Sequence, residues 1–134
     1  RYPFRWSLTT RFADLDANNH INNVAMVAAF EDARSRFHRS LGREALGGCR
    51  VVIASQQIDY LAQAYYPDAL DMHVGVLGIG RSSWQLAALA MQGERAVAFC
   101  LATLVTQRDE AAQVMPDQWR KSLQSASLSA SEAV

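Results

Sequence analysis

The stretch Ala13–Asn23, ADLDANNHINN, packs two carboxylates, four asparagine amides and one imidazole into a chain that is half hydrophobic. Polar density of this kind makes a capped turn, a metal loop or a site for acid–base chemistry. As a turn, Asn22 or Asn19 caps the helix that follows, and Asn18–Asn19 takes the left-handed backbone that asparagine tolerates. Capping alone leaves two aspartates and a histidine without a purpose. As a metal loop, Asp14, Asp16 and Asn18 match the first half of a calcium-binding pattern. The sixth position, however, is Asn19 where glycine is needed, and the twelfth is Ala25 where a bidentate Glu belongs. No metal is expected. As a catalytic loop, Asp16 stands seven residues ahead of Asn23 and the first helical turn. The first N–H groups of a helix lack internal partners and carry partial positive charge, so they suit an oxyanion. An anionic base or nucleophile beside such donors is the pair that acyl transfer needs. No other nucleophile competes: there is no G-x-S-x-G, and neither cysteine has a histidine near it in sequence.

The elements that must position this loop can be read from periodicity. Trp6, Leu8 and Phe12 at even positions predict a strand before it. Residues 22–42 predict a helix, with Met26, Val27, Phe30, Ala33, Phe37 and Leu41 on one apolar stripe and Gly42 as its stop. Glu31, Ser35, His38 and Arg39 fall away from that stripe, and Glu31 is placed to pair with Arg34. Four strands follow at 49–61, 70–80, 83–92 and 96–108, joined by turns that favour antiparallel pairing. His73 falls opposite the apolar face of its strand and is expected to be exposed. The last strand is apolar on both faces, with Phe99 and Leu101 on one and Cys100 and Ala102 on the other. A partner subunit or the terminal helix, begun by Pro116, must cover its second face. Tyr65 and Tyr66 beside Pro67 are expected to pack in a turn. The expected class is α+β, a curled antiparallel sheet of about five strands around one long helix. Residues 1–123 form a single domain, and the Ser/Ala-rich residues 124–134 are expected to be a disordered tail.

Composition narrows the function. The formal net charge is zero, from 13 basic and 13 acidic residues. A nucleic-acid groove or an anionic membrane surface would need a basic excess, so neither is an expected partner. A near-neutral chain resists self-association weakly, which fits an oligomer. Cys49 and Cys100 sit in apolar runs and read as buried free thiols of a reducing cytoplasm. No run is long enough for a membrane span, and no signal peptide is visible. The chain opens on Arg1 rather than Met, which points to a short missing leader.

The stretch DLDANNHINNVAMVAAFEDAR (14–34) resembles the D-x-D-x-x-x-H-[VI]-N-N…F-E-x-A-R signature of hotdog-fold acyl-CoA thioesterases. It is similar to the 4-hydroxybenzoyl-CoA thioesterase type and its FadM/YbgC-like relatives. IDYLAQAYYPD (58–68), GRSS (80–83), CLATLVTQRD (100–109) and MPDQWRKSL (115–123) follow in the order of that family. The resemblance covers roughly residues 4 to 123. It implies hydrolysis of an acyl-CoA or acyl-carrier-protein thioester without a cofactor, in a homodimer or homotetramer with its sites at the subunit interface. Asp16 takes the position of the catalytic aspartate, as general base or nucleophile, and the backbone N–H of Asn23 that of the oxyanion donor. His20, Asn22 and Asn23 would organise the loop. Asn19 stands where relatives carry Gly, Met26 where Tyr is common and Gln63 where Pro is common. Met26 is therefore expected to reshape the acyl pocket. Arg81, Ser82 and Ser83 are candidates to hold a CoA phosphate or the pantetheine arm, against a plain hairpin turn. A non-catalytic acyl-CoA binder with the same fold is the alternative, and a hotdog dehydratase using His20 ranks below both.

Overall fold

The computed structural model describes residues 1–133. Strand β1 (Phe4–Leu8) leads through the polar loop into helix α1 (Asn23–Ser40). Strands β2 (Arg50–Tyr60), β3 (Leu70–Ile79), β4 (Ser83–Gln92) and β5 (Arg95–Arg108) follow. A two-residue strand β6 (Ala111–Ala112) and helix α2 (Asp117–Gln124) complete the order. The sheet runs β1-β3-β4-β5-β2, every pair antiparallel, with β6 on the end of β5. Among the described residues, no helix is long and apolar enough to cross a membrane.

Alternation along the strands builds the core. Met72, Val74 and Val76 of β3, Leu86, Ala88 and Ala90 of β4, and Cys100, Ala102 and Leu104 of β5 share one buried face. Met26, Ala29, Phe30, Ala33 and Phe37 of α1 recur every three or four residues and fill that concave face. Phe30 and Phe37 are fully buried, each worth about 1.5–3 kcal/mol of transfer free energy. The helix packs against β3 and β1, and Phe4 meets Phe37 edge-on at 5.6 Å. Helix α2 closes one end with Trp119 and Leu123, both fully buried.

Three expectations are corrected. His38, expected away from the apolar stripe, is wedged between Trp84 and Trp119, 5.5 and 5.8 Å from their rings. Trp84 Nε1 donates to its Nε2 at 3.2 Å, so the imidazole is neutral with its proton on Nδ1. His73 is half-buried against Tyr2, at 5.7 Å, rather than exposed. Glu31 and Arg34 form no ion pair among the described residues; Arg34 instead donates to Gln56 Oε1 at 2.8 Å.

The fourth correction concerns residues 124–133, which pack on the sheet instead of lying disordered. Beyond the start of β1, at Phe4, this segment takes the place of that strand at the edge of β3: Val76 N donates to Ala126 O, and Leu128 N to Val76 O. Leu128 and Ala133 then cover Ala87, Leu77, Phe99 and Leu101 on the outer face. Phe99 and Leu101 on the second apolar face of β5 are therefore partly covered by the chain beyond α2, not by α2 itself. The serines that suggested disorder are satisfied locally, as Ser129 N and Oγ both donate to Glu132 Oε1.

Leu128 lies so close that a Cβ on Gly75 would stand 2.9 Å from the Leu128 Cβ. Gly75→Ala is therefore expected to destabilise by about 1–3 kcal/mol in urea unfolding. Leu128→Gly in the same background removes that Cβ and should recover part of that loss; strict additivity would show that the two residues do not touch.

Burial holds the His38 pKa down at about 4, and Arg34 adds to the effect. The unfolded chain, titrating near the ordinary histidine value, binds the extra proton first. Stability should accordingly fall as pH drops from about 6.5 to about 4, on the order of 2–3 kcal/mol in total. Comparison of pH-dependent unfolding in wild type and His38→Gln checks this: the variant should lack most of the slope in that window.

Candidate functional site

The polar loop is a small antiparallel turn whose stem is the Leu15–Ile21 bridge. Asp16 N donates to His20 O at 2.8 Å, and Asn19 N to Asp16 O at 3.1 Å. Asn19 has φ of 62°, the left-handed conformation that asparagine was expected to take. The Asp16 carboxylate folds back over the turn. Its Oδ1 accepts from Asn18 N at 2.8 Å and from His20 N at 3.0 Å, while Oδ2 has no partner among the described residues. These amide bonds, His20 N–H first, hold the exposed Asp16 carboxyl below the usual carboxylate range.

Asn22 joins this turn to α1. As the N-cap, its Oδ1 accepts from Ala25 N at 2.7 Å. Its Nδ2 and its backbone N both donate to Asp14 O, each at 2.8 Å. Asp14 itself pairs with Arg11, Oδ1 to Nη2 at 2.9 Å, and accepts from Arg11 N at 2.9 Å. His20 stacks edge-on against Tyr65 at 5.2 Å. The N–H groups of Asn23 and Val24 find no acceptor among the described residues and remain available at the positive end of the helix.

Asn23 opens onto a groove of about 290 Å³ between the start of α1 and the end of β2, where Ile21, Met26, Tyr60 and Leu61 form apolar walls. Met26 is buried, and Gln63 also lines this groove. Tyr60, Leu61 and Ala64 were not among the expected site residues. Their signal was the IDYLAQAYYPD stretch, which carries no charged or nucleophilic cluster to mark it as a site. The chain brings Asp14, Asp16, His20, Asn22, Asn23 and Met26 together at one junction. It does not bring Arg81, Ser82 and Ser83 there. Arg81 and Ser82 lie in the turn between β3 and β4 and Ser83 opens β4, at the opposite end of α1, beside Trp84 and His38. In that turn Ser82 O accepts from Thr106 N, and Arg81 O from Met115 N. Among the described residues, no three His, Cys, Asp or Glu side chains are grouped to hold a metal ion.

The Thioesterase-like superfamily model matches residues 10–123. The chain belongs to the thioesterase-like superfamily. Its curled antiparallel sheet around α1 is the hotdog fold of that family. YsmA of Bacillus subtilis (strain 168) is 31% identical over 96 residues, covering 69% of this chain and 65% of that protein, so the match spans just under two thirds of the relative's length. A thioesterase complexed with coenzyme A and Zn from Thermus thermophilus superposes with a TM-score of 0.85 at 27% identity, over 92% of this chain and 99% of the other. The PA5185 protein of Pseudomonas aeruginosa strain PAO1 superposes with a TM-score of 0.84 at 26% identity, over 96% and 94% of the two chains.

If Asn22 sets the angle between the turn and α1, truncating it must loosen both. Asn22→Ala is expected to lower stability by about 1–2 kcal/mol in denaturant unfolding, at the upper end for an N-cap because it also leaves Asp14 O with one donor fewer. Asn22→Asp keeps the acceptor for Ala25 and should lose less; equal losses would rule out the cap.

Proposed function

We propose that this protein hydrolyses the thioester of an acyl-CoA or acyl-carrier protein, with Asp16 activating water or attacking the carbonyl itself. The observation that carries this reading is the pairing of a free Asp16 Oδ2 with the unbonded N–H groups of Asn23 and Val24. Both lie at the turn–helix junction that the Asp14–Asn22 bonds hold together. In the general-base form, the carboxylate takes a proton from water as the water oxygen adds to the thioester carbonyl. The oxyanion is stabilised by the helix-terminal N–H groups, the C–S bond breaks, and the proton passes to the leaving thiolate. The apolar groove beyond Asn23 would take the acyl group, and Met26 would shape it. His20, stacked on Tyr65 and bonded through its amide to Asp16, would position the carboxylate rather than transfer a proton.

Two copies are part of this proposal. Strand β2 is a sheet edge exposed along most of its length, with Ile53, Tyr60 and Leu61 open to solvent, and Val24 and Phe12 are exposed beside the loop. An unpaired apolar edge calls for a partner. Antiparallel pairing of β2 with its copy about a two-fold axis would set the Arg81–Ser83 turn of one chain toward the Asp16 loop of the other. Those residues could then contact the CoA arm at a site that neither chain completes alone. The similarity to the Thermus thermophilus thioesterase complexed with coenzyme A supports CoA as the carrier.

One observation favours the non-catalytic binder. Asp16 Oδ1 is spent on loop amides, and Asp16 does not line the apolar groove. Steady-state hydrolysis of a panel of acyl-CoAs by wild type and Asp16→Asn separates the two. Catalysis by Asp16 predicts a fall in kcat/KM of about 10²-fold or more with the fold retained. It also predicts an acid limb below the usual carboxylate range, because Asp16 is ionised above its lowered pKa and activity is lost as it is protonated. Binding of acyl-CoA without turnover by either protein would establish the binder.

A further inference from the structure

A second cavity, of about 410 Å³, lies between the C-terminal half of α1 and the start of β2. Four arginines line it, Arg34, Arg39, Arg43 and Arg50, against a single carboxylate, Glu31. None of the four forms an ion pair among the described residues. Arg34 is the unusual one. It lies on the buried stripe of α1 and is only 7% exposed. Its Nη1 donates to Gln56 Oε1 at 2.8 Å and reaches Cys100 Sγ at 4.0 Å, and no other acceptor among the described residues meets the guanidinium. Five donors in a planar fork fit a carboxylate in two parallel bonds. A guanidinium taken this far out of water with Glu31 acting on it only at a distance, and no carboxylate in contact, is unfavourable, and a bound anion would relieve it. His38 also faces this cavity but is neutral, so it contributes no competing charge. Val51 and Leu104 complete the walls, which suits an occupant that is apolar along its length and anionic at one end.

The cavity and the groove beside Asn23 flank the same two elements, α1 and β2, at opposite ends. Eleven residues separate Asn23 from Arg34, about 16 Å along the helix axis. Side chains tilt toward the helix start, which shortens that span. An acyl group of medium length, with its carbonyl at Asn23, would bring its far end to Arg34. We propose that this cavity is a carboxylate site for the distal end of the acyl group, and that the preferred substrates are carboxylate-tipped acyl thioesters. The thioester part rests on the hydrolase reading above; the carboxylate site does not.

The test compares suberoyl-CoA with octanoyl-CoA, which differ only in the terminal carboxylate, and titrates free suberate by calorimetry. Wild type, Arg34→Gln and the Arg43→Gln/Arg50→Gln double variant are used. Arg43 and Arg50 lie nearer the surface than Arg34, so the double variant folds even if loss of the buried Arg34 does not permit folding. The expected result is a kcat/KM ratio favouring suberoyl-CoA by about tenfold or more in wild type, the size of one charge-assisted hydrogen bond. That ratio should collapse in the variants, with loss of suberate binding. If octanoyl-CoA is hydrolysed at least as well as suberoyl-CoA and suberate does not bind, the carboxylate site is overturned while the hydrolase stands. If neither thioester is cleaved but suberate binds wild type and not the variants, the site stands and the hydrolase falls. If neither cleavage nor binding occurs, both fall. A ratio that survives in the variants overturns the assignment to these arginines. Equal losses for suberoyl-CoA, octanoyl-CoA and free CoA would put a CoA phosphate there instead and overturn the acyl assignment.

Discussion

The burial of one stripe of α1 against a curled sheet is the constraint on which everything else depends. Phe30, Ala33 and Phe37 leave water only because β3, β4 and β5 curve around them. That burial is worth several kcal/mol in a domain whose net stability is of similar size. The same contact fixes where α1 begins. Once Phe30 and Met26 are docked, the first helical turn can sit only at the end of β2, facing the loop that enters it.

The loop is then clamped from two sides. Asp14 O receives two donors from Asn22, and Asp16 Oδ1 receives two from the turn it closes. A loop of short polar side chains has little apolar area to bury, so these bonds, rather than packing, give it one shape. The arrangement has a consequence for the carboxylate. Bonds that lower the pKa of Asp16 keep it ionised and reduce its basicity, which suits a group that must be anionic at neutral pH but weakens its pull on a proton.

The two faces and two edges of the sheet are treated differently. The inner face is filled by α1 and α2. Part of the outer face, around Ala87, is covered by the chain's own last residues, through Leu128 and Ala133. The β1 edge is extended by the same segment, whereas the β2 edge is left bare among the described residues. That asymmetry leaves β2 as the free edge of the sheet, with the groove beside Asn23 at one end of its seam with α1 and the arginine-lined cavity at the other.

The sequence by itself determined the local structure. The three-to-four spacing of Met26, Phe30, Ala33 and Phe37, the alternation of Met72, Val74 and Val76, and Asn19 at the left-handed position all follow from the period and backbone preference of single elements. The residues of the polar loop were legible for the same reason, since their partners lie within nine positions of one another. Tertiary structure decided whatever depends on contacts between distant segments. His38 reads as a surface residue of its helix until Trp84 and Trp119 close over it. The Ser/Ala-rich end reads as disordered until Val76 offers it an unpaired edge and Gly75 leaves room for Leu128. Arg34 reads as a partner for Glu31 until α1 turns it inward toward Gln56. Arg81–Ser83 read as candidates to hold the CoA arm, and the fold sets them at the far end of the helix from Asp16. In each case the deciding partner lies tens of residues away, and periodicity within a single element carries no information about it.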